Sequence, residues 1–143
     1  MQSLQFKKNN NMKAFYQTKP SKNAFVALGG EIAICIDWQA VQEKIGDNTV
    51  NGFGCMQLNF RDTELANDVA IERFVREKYS QSEEFALINA YQASVTGIAK
   101  DAEKEQEYRD FLTWRESMRT QVKAALADYN ASKQTETQTE TEA

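Results

Sequence analysis

The sequence contains no histidine. Because histidine is the commonest general base and metal ligand, its absence excludes histidine-dependent triads, HExxH metal sites and a pH switch near neutrality. The longest apolar run, Ile32 to Ile36, is far shorter than the ~20 residues of a membrane helix. The glycine-rich places, Gly29-Gly30 and Gly52-Phe53-Gly54, match neither a phosphate-binding loop nor a dinucleotide-binding motif. We therefore expect a non-enzymatic protein without a membrane span, metal ion or cofactor.

Cysteine is also scarce, since the chain has only Cys35 and Cys55. The two do not form a CxxC motif. The first 30 residues hold five lysines and no continuous apolar core, so no secretory signal precedes the cysteines. Because free cysteine behaves mostly as a small hydrophobe, we expect two buried free thiols rather than a disulfide. This expectation favours a reducing compartment such as the cytosol.

The two ends of the chain differ in composition from its middle. Residues 131–143 read ASKQTETQTETEA and contain no apolar residue larger than alanine, so we predict a disordered acidic tail. Residues 1–12 hold a Lys/Asn cluster, for which we predict a disordered extension. An A-rich untranslated leader would encode the same cluster, so a natural start at Met12 is an equal alternative; an intact mass that includes Met1 would rule it out. Residues 13–130 are long enough for one domain with one core.

The first half of this domain favours β-strands. The β-prone segments are 13–17, 23–28, 31–37 and 53–60. Gly29-Gly30 supplies the positive φ that a tight hairpin demands, and a short helix or turn is expected around 38–45. Together these segments predict a small antiparallel sheet of three or four strands over residues ~13–60.

From residue 63 onward the apolar spacing becomes helical. It predicts three helices, at 67–79, 81–95 and 102–129. Ser80 and Glu83 form a capping box for the second helix, and Gly97 ends it. This helix is expected to bury Phe85, Ile88, Tyr91 and Val95. The sequence therefore predicts an α+β fold in which three C-terminal helices pack on the small sheet.

The charge is distributed unevenly along the chain. Residues 1–30 carry a net charge of +5, whereas the remainder carries −9 and the whole chain −4. A basic N-terminal arm is typical of nucleic-acid binding, for which the candidate contacts are Lys13, Lys19 and Lys22. The arm has no arginine and the chain as a whole is acidic, so we rank nucleic acid below protein as a partner.

The last predicted helix offers a candidate docking surface. Trp114 lies beside its apolar stripe and widens the apolar face beyond what one neighbouring helix normally covers. The candidate partner contacts are Trp114, Arg115, Met118 and Arg119. The alternative is that Trp114 caps the intramolecular core and that the two arginines extend over it.

Two stretches of the C-terminal half carry a resemblance: IERFVREKYSQSEEFALINAYQ at 71–92 and EYRDFLTWRESMRTQVKAAL at 107–126. In the first stretch, an aromatic residue and Ser/Thr end a helix before a capped acidic turn. In the second stretch, a last helix carries Tyr, Phe and a Trp-Arg pair. The matching residues are Tyr79, Ser80, Glu83, Asn89, Tyr108, Phe111, Trp114 and Arg115. This part of the chain resembles small tail or structural proteins of tailed phages and prophages of gut anaerobes.

The resemblance implies a protein that acts by protein–protein interaction in virion structure or in tail or head assembly. Its implied partners are phage structural or assembly proteins. The oligomeric state is left open, and a homo-oligomer is one of the alternatives. The alternative hypothesis is a host-directed or nucleic-acid-binding regulator that uses the Lys-rich N-terminal arm.

Overall fold

The computed structural model describes residues 12–142, with side chains described through Lys133. Four antiparallel strands form one layer and three helices pack on it, which confirms the predicted α+β class. The strands are β1 (Lys13–Tyr16), β2 (Ala24–Val26), β3 (Ile32–Ile45) and β4 (Asn48–Phe60). The helices are α1 (Asn67–Lys78), α2 (Gln81–Val95) and α3 (Ala102–Glu142). The predicted extension before Met12 lies outside the described residues.

The sheet has the strand order β1-β4-β3-β2. The β3–β4 hairpin therefore occupies its centre, and the two strands that come first in the chain pair with its outer edges. Gly29 and Gly30 have φ values of +93° and +89° in the turn between β2 and β3, as the sequence predicts. The turn is closed by a 2.8 Å hydrogen bond from the Ala27 amide to the Glu31 carbonyl.

The central hairpin is longer than the sequence predicts. β3 continues through 38–45, so the helix or turn expected there is wrong. Alternating β-branched residues such as Val41 and Ile45, followed by Gly46 at φ +63°, favour a hairpin instead. Beyond the Val41–Gly52 pair the two strands pair only with each other among the described elements. We call residues 41–52 the arm.

The helix boundaries follow local capping signals. The Ser80 hydroxyl accepts a 3.1 Å hydrogen bond from the Glu83 amide, and the Glu83 carboxylate accepts one from the Ser80 amide at 3.1 Å. This confirms the capping box that begins α2. Gly97, at φ +83°, follows the end of α2, where a left-handed residue stops a helix. The Arg76 guanidinium links α1 to α2 through Glu84 at 2.6 Å.

The face of α2 that packs inward matches the predicted one only in part. Phe85 and Val95 are 55% and 52% exposed, so the predicted burial of these two side chains is wrong. α2 packs on α3 through Leu87, Tyr91 and Ser94, which are spaced four and three residues apart. The error arises because apolar side chains lie on more than one face of this helix.

One apolar core lies between the sheet and the helices. Its sheet side comes from alternate residues of the two central strands, and its helix side comes mainly from α1 and α3. The largest contributors are Ile32, Ile34, Ile36, Leu58, Phe60, Phe74, Phe111, Met118, Val122 and Leu126. The intervening residues of β3 and β4, which include both cysteines, point to the opposite face of the sheet.

Both predicted boundaries of the domain need correction. Met12, assigned to the extension, is 2% exposed within the core, and its carbonyl accepts a 2.6 Å hydrogen bond from the Gln57 amide. At the other end α3 continues to Glu142, beyond the predicted end at Tyr129 and through the stretch 131–142 for which disorder was expected. No proline or glycine follows Gly97, so nothing in the sequence breaks this helix.

The junction between α2 and α3 supplies a stability prediction. Ser94 is 2% exposed; its hydroxyl accepts from the Asp101 amide at 2.8 Å and donates to the Glu105 carboxylate at 2.6 Å. Ser94→Ala leaves both groups without this partner, so we expect the free energy of unfolding to fall by about 1–3 kcal/mol in urea denaturation. Ser82→Ala, at an exposed position of the same helix, should change it by less than about 0.5 kcal/mol. Equal losses in the two variants would contradict the role of Ser94.

Candidate functional site

A cleft of about 1270 Å³ lies between the arm and α3. Its sheet side is lined by Phe15, Val41, Gly54 and Met56, which share the sheet face that the core helices cover elsewhere. Its helix side is lined by α3 residues, namely Asp110, Thr113, Trp114, Ser117 and Gln121. The floor of the cleft is therefore the helix-facing surface of the sheet next to α3, where α3 itself no longer covers the sheet.

Asp37 lies where the arm departs from the packed part of the sheet. The register shifts between Ile36 and Gln39, so that Asp37 and Trp38 form a bulge in β3. Asp37 has φ +56°, a left-handed conformation that costs most residues energy but that aspartate tolerates better than most. A charged residue directly after a run of five buried ones ends the core-facing part of the strand.

Two side chains of α3 hold Asp37 in place. The Trp114 indole donates to Oδ2 at 3.0 Å, and the Gln121 amide donates to Oδ1 at 2.8 Å. The Asp37 amide in turn donates to Gln121 Oε1 at 2.8 Å, so Gln121 binds both the side chain and the backbone. Such a paired contact fixes the bulge to the helix and sets the width of the cleft.

Two glycines keep the sheet wall of the cleft flat. A Cβ on Gly52 would lie 2.5 Å from Cζ of Phe15, so the Phe15 ring occupies the space that a side chain at 52 would take. A Cβ on Gly54 would lie 3.4 Å from the nearest Val41 methyl group, which is a tolerable contact. The aromatic ring and the valine therefore form a continuous apolar surface on this wall.

Lys78 ends α1 at the rim of the cleft. Its Nζ lies 4.3 Å from the Trp114 ring centroid and 5.9 Å from the Tyr79 ring centroid. Burial lowers the pKa of Lys78, and the negative charge of Asp37 opposes that shift. Among the described residues no carboxylate lies within salt-bridge distance of this ammonium group. Lys78 is thus a half-buried cation whose described contacts are aromatic.

The four predicted partner contacts do not form one surface. Met118 is fully buried in the core, so its assignment as a contact residue is wrong; its position in the middle of the α3 stripe explains the burial. Trp114 lines the cleft while also packing against Tyr79 at 5.8 Å. Arg115 and Arg119 are half-buried and do not line the cleft. Of the four, only Trp114 belongs to the site.

The three predicted nucleic-acid contacts are also divided. Lys13 and Lys19 line the cleft, and Lys19 lies 5.4 Å from the Trp38 ring centroid. Lys22 lies elsewhere and forms a 3.2 Å ion pair with Asp128 on α3. The lysines therefore do not form the continuous basic strip that tracks a nucleic-acid backbone.

A second cluster lies on the sheet face opposite the helices. Tyr16 packs against Phe25 at 6.2 Å and against Trp38 at 5.8 Å between ring centroids. Beneath these rings lie Cys35 and Cys55, which are free and buried as the sequence predicts. We call these five residues, together with Gln57, the outer cluster.

Metal and membrane sites were also sought among the described residues. Within residues 12–133 no group of three or more Cys, Asp or Glu side chains converges as a metal-binding set. No helix in the described part of the chain is both long and apolar enough to cross a membrane.

Comparison of the chain with models of known protein families, with curated proteins and with solved structures found no match in any of the three.

The bond between Gln121 and Asp37 can be tested against a matched one. We expect Gln121→Ala to lower the free energy of unfolding by about 1–3 kcal/mol, because it leaves the Asp37 amide and carboxylate without their partner. Gln106→Ala removes an exposed bond of the same type, at 2.8 Å to Asp110 one turn along α3, and should cost less than about 0.5 kcal/mol. Urea denaturation of both variants measures the difference, and a larger loss in Gln106→Ala would contradict the assignment.

The lowered pKa of Lys78 predicts a dependence of stability on pH. Between that lowered pKa and the ordinary value of 10.5, the unfolded chain binds more protons than the folded one. The contribution of Lys78 to the free energy of unfolding therefore rises with pH across this window. Lys78→Gln should remove the rise, so the free energy of unfolding of the wild type should increase relative to that of the variant as the pH increases. Lys123→Gln, at an exposed position of α3, is the control and should give a constant difference from wild type.

Proposed function

We propose that the protein acts without catalysis by binding an amphipathic helix of another protein in the cleft between the arm and α3. The observation that carries this proposal is the open stretch of sheet beside α3. Helices cover the same sheet face from Ile32 to Ile36, but beyond Asp37 no helix of the described residues lies on the inner face of the arm. A partner helix in this position would continue the helix layer of the fold.

The size of the cleft favours a polypeptide. Pockets for small molecules commonly measure ~300–1000 Å³, and this open cleft is larger, at about 1270 Å³. The two-stranded arm supports the same interpretation, because a ribbon of two strands is marginally stable unless something packs on it. At its tip Ile45 is 55% exposed.

The two walls of the cleft have the chemistry that an amphipathic helix requires. The sheet side offers Phe15, Val41 and Met56, all half-buried, to the apolar face of a helix. The α3 side offers the hydroxyl groups of Thr113 and Ser117 and the Trp114 ring to its polar edge. Aromatic residues such as Trp114 are enriched at the centre of protein interfaces.

Lys78 specifies the charge of the partner. Its half-buried ammonium group lies at the cleft rim without a carboxylate in salt-bridge range among the described residues. A carboxylate on the polar edge of the bound helix would pair with it in a partly desolvated place, where such a pair contributes most to specificity. The proposed ligand is therefore an amphipathic helix with an acidic residue on its polar edge.

The resemblance of residues 71–92 and 107–126 to small phage proteins supports a virion or assembly protein as the source of this helix. Trp114 belongs both to the resembling segment and to the cleft. The proposal thus retains the expected class of partner and moves the contact surface from the core-facing stripe of α3 to its cleft side.

Site-specific photo-cross-linking tests the proposal. A photoreactive amino acid is placed at Thr113, which is exposed in the cleft, and at Ala127, which is exposed on α3 outside it. Both proteins are irradiated in a lysate of the cells that produce the protein, and the products are mapped by mass spectrometry. We expect position 113 alone to capture one phage structural or assembly protein, through a peptide with amphipathic helical spacing and an acidic residue.

A charge reversal completes the experiment. Lys78→Glu should lower the capture at position 113 about tenfold or more, and restoring the pair by an acid-to-lysine change in the partner should recover it. Lys123→Glu, on the exposed surface of α3, is the matched control and should leave capture unchanged. Equal capture from positions 113 and 127, capture of nucleic acid instead, or insensitivity to Lys78→Glu would overturn the proposal.

A further inference from the structure

The two cysteines are neighbours on the central strands of the sheet. Cys35 in β3 lies directly opposite Gln57 in β4, and Cys55 lies two residues from Gln57 on the same face. The thiols are 1% and 5% exposed. Strand alternation directs both side chains to the outer face of the sheet, although Cys55 also borders the cleft.

A small hydrogen-bond network surrounds the thiols. Cys35 Sγ donates to Gln57 Oε1 at 3.5 Å, and the Tyr16 hydroxyl donates to the same oxygen at 2.5 Å. The two thiols also interact with each other. The Cys35 thiol has one proton, so it donates either to Gln57 or to the Cys55 sulfur. In the second arrangement the bond lowers the pKa of Cys55, although burial opposes this, and the bond together with burial raises the pKa of Cys35. The pair therefore has one sulfur that is the better nucleophile and one that keeps its proton.

We propose that Cys35 and Cys55 are a reversible dithiol–disulfide pair that is oxidised by small-molecule disulfides. The Cys55 thiolate attacks one sulfur of the oxidant, which breaks the oxidant's S–S bond and releases a thiolate that takes up a proton. Cys35 then loses its proton and attacks the Cys55 sulfur of the mixed disulfide, which expels the second small thiol. Two protein thiols are oxidised and one disulfide is reduced to two thiols.

The fold gives the oxidant a route to Cys55. The strand that covers it, β1, has four residues and lies at the edge of the sheet, where Ala14 pairs with Cys55. Short edge strands open more readily than the central ones, so the reaction needs only local opening. Cys55 is also the residue of the two that lies beside this edge strand, which agrees with its role as the attacking group.

The bond would form at the base of the arm. Cys55 lies opposite the bulge formed by Asp37 and Trp38, and Cys35 lies two residues before Asp37. A covalent link between β3 and β4 at this level removes the freedom of the two strands to slide or splay where the arm begins. The disulfide form should therefore hold the arm more rigidly than the dithiol form. This inference does not depend on what the cleft binds.

Mass spectrometry of the full chain tests the pair. Oxidised glutathione is added to the dilute protein, and free thiols are then alkylated under denaturing conditions. We expect a product that has lost two hydrogens, takes up no alkyl group and yields a Cys35–Cys55 peptide on digestion, all reversed by a dithiol reductant. Two alkylated thiols, two lasting glutathione adducts or disulfide-linked dimers would overturn the proposal.

Single variants and amide exchange separate chemistry from structure. Cys35→Ala should keep one glutathione at Cys55, because no second thiol displaces it, whereas Cys55→Ala should react more slowly at Cys35. Hydrogen exchange of the wild type should slow for arm amides in the disulfide form relative to the dithiol form. Lasting adducts at Cys35 alone, or equal exchange of the arm in both forms, would contradict the assigned roles.

Discussion

The hydrogen bonds between Asp37 and α3 determine where the arm of the sheet leaves the helix layer. Before Asp37, alternate residues of β3 are buried against α1 and α3; after it, the strand leaves the core as one side of the arm. Because Asp37 is in a left-handed conformation, its backbone would relax without the contacts from Trp114 and Gln121. The direction of the arm, and with it the shape of the cleft, follows from this one attachment to α3.

The same bulge connects the two sides of the sheet. Asp37 extends toward α3 and the cleft, whereas its neighbour Trp38 packs at a tilt against Tyr16 of the outer cluster and donates to the Asn23 side chain. One irregularity in β3 thus positions a helix-facing carboxylate and an outward aromatic ring in consecutive residues. A change in the outer cluster, such as a new bond between the two cysteines, therefore acts within a few residues of the contact that sets the cleft.

Local signals made the boundaries of α2 predictable, whereas the lengths of β3 and α3 were not predicted. Ser80 with Glu83 and the glycine at 97 act over one helical turn, so the limits of α2 follow from the sequence. Burial was less predictable. Met118 is buried because α3 contacts the sheet and both other helices, whereas Phe85 is exposed on α2, which contacts mainly α3. The site was least predictable: Asp37 and Gln121 lie 84 residues apart, and no periodicity relates them. Trp114, large and apolar beside a charged helix face, was found in advance, and so were Lys13 and Lys19, as basic residues of the N-terminal arm.

The strand order has a consequence for synthesis. The β3–β4 hairpin is central, yet both strands that pair with its edges come earlier in the chain. On the ribosome, β2 can pair with β3 as soon as Ile34 has emerged, but β1 must wait unpaired until Met56 has emerged, about 40 residues after Tyr16. At ~5–20 residues per second this delay lasts roughly 2–8 s. The lysines and polar residues between β1 and β2 keep this unpaired segment soluble and disfavour premature strand pairing.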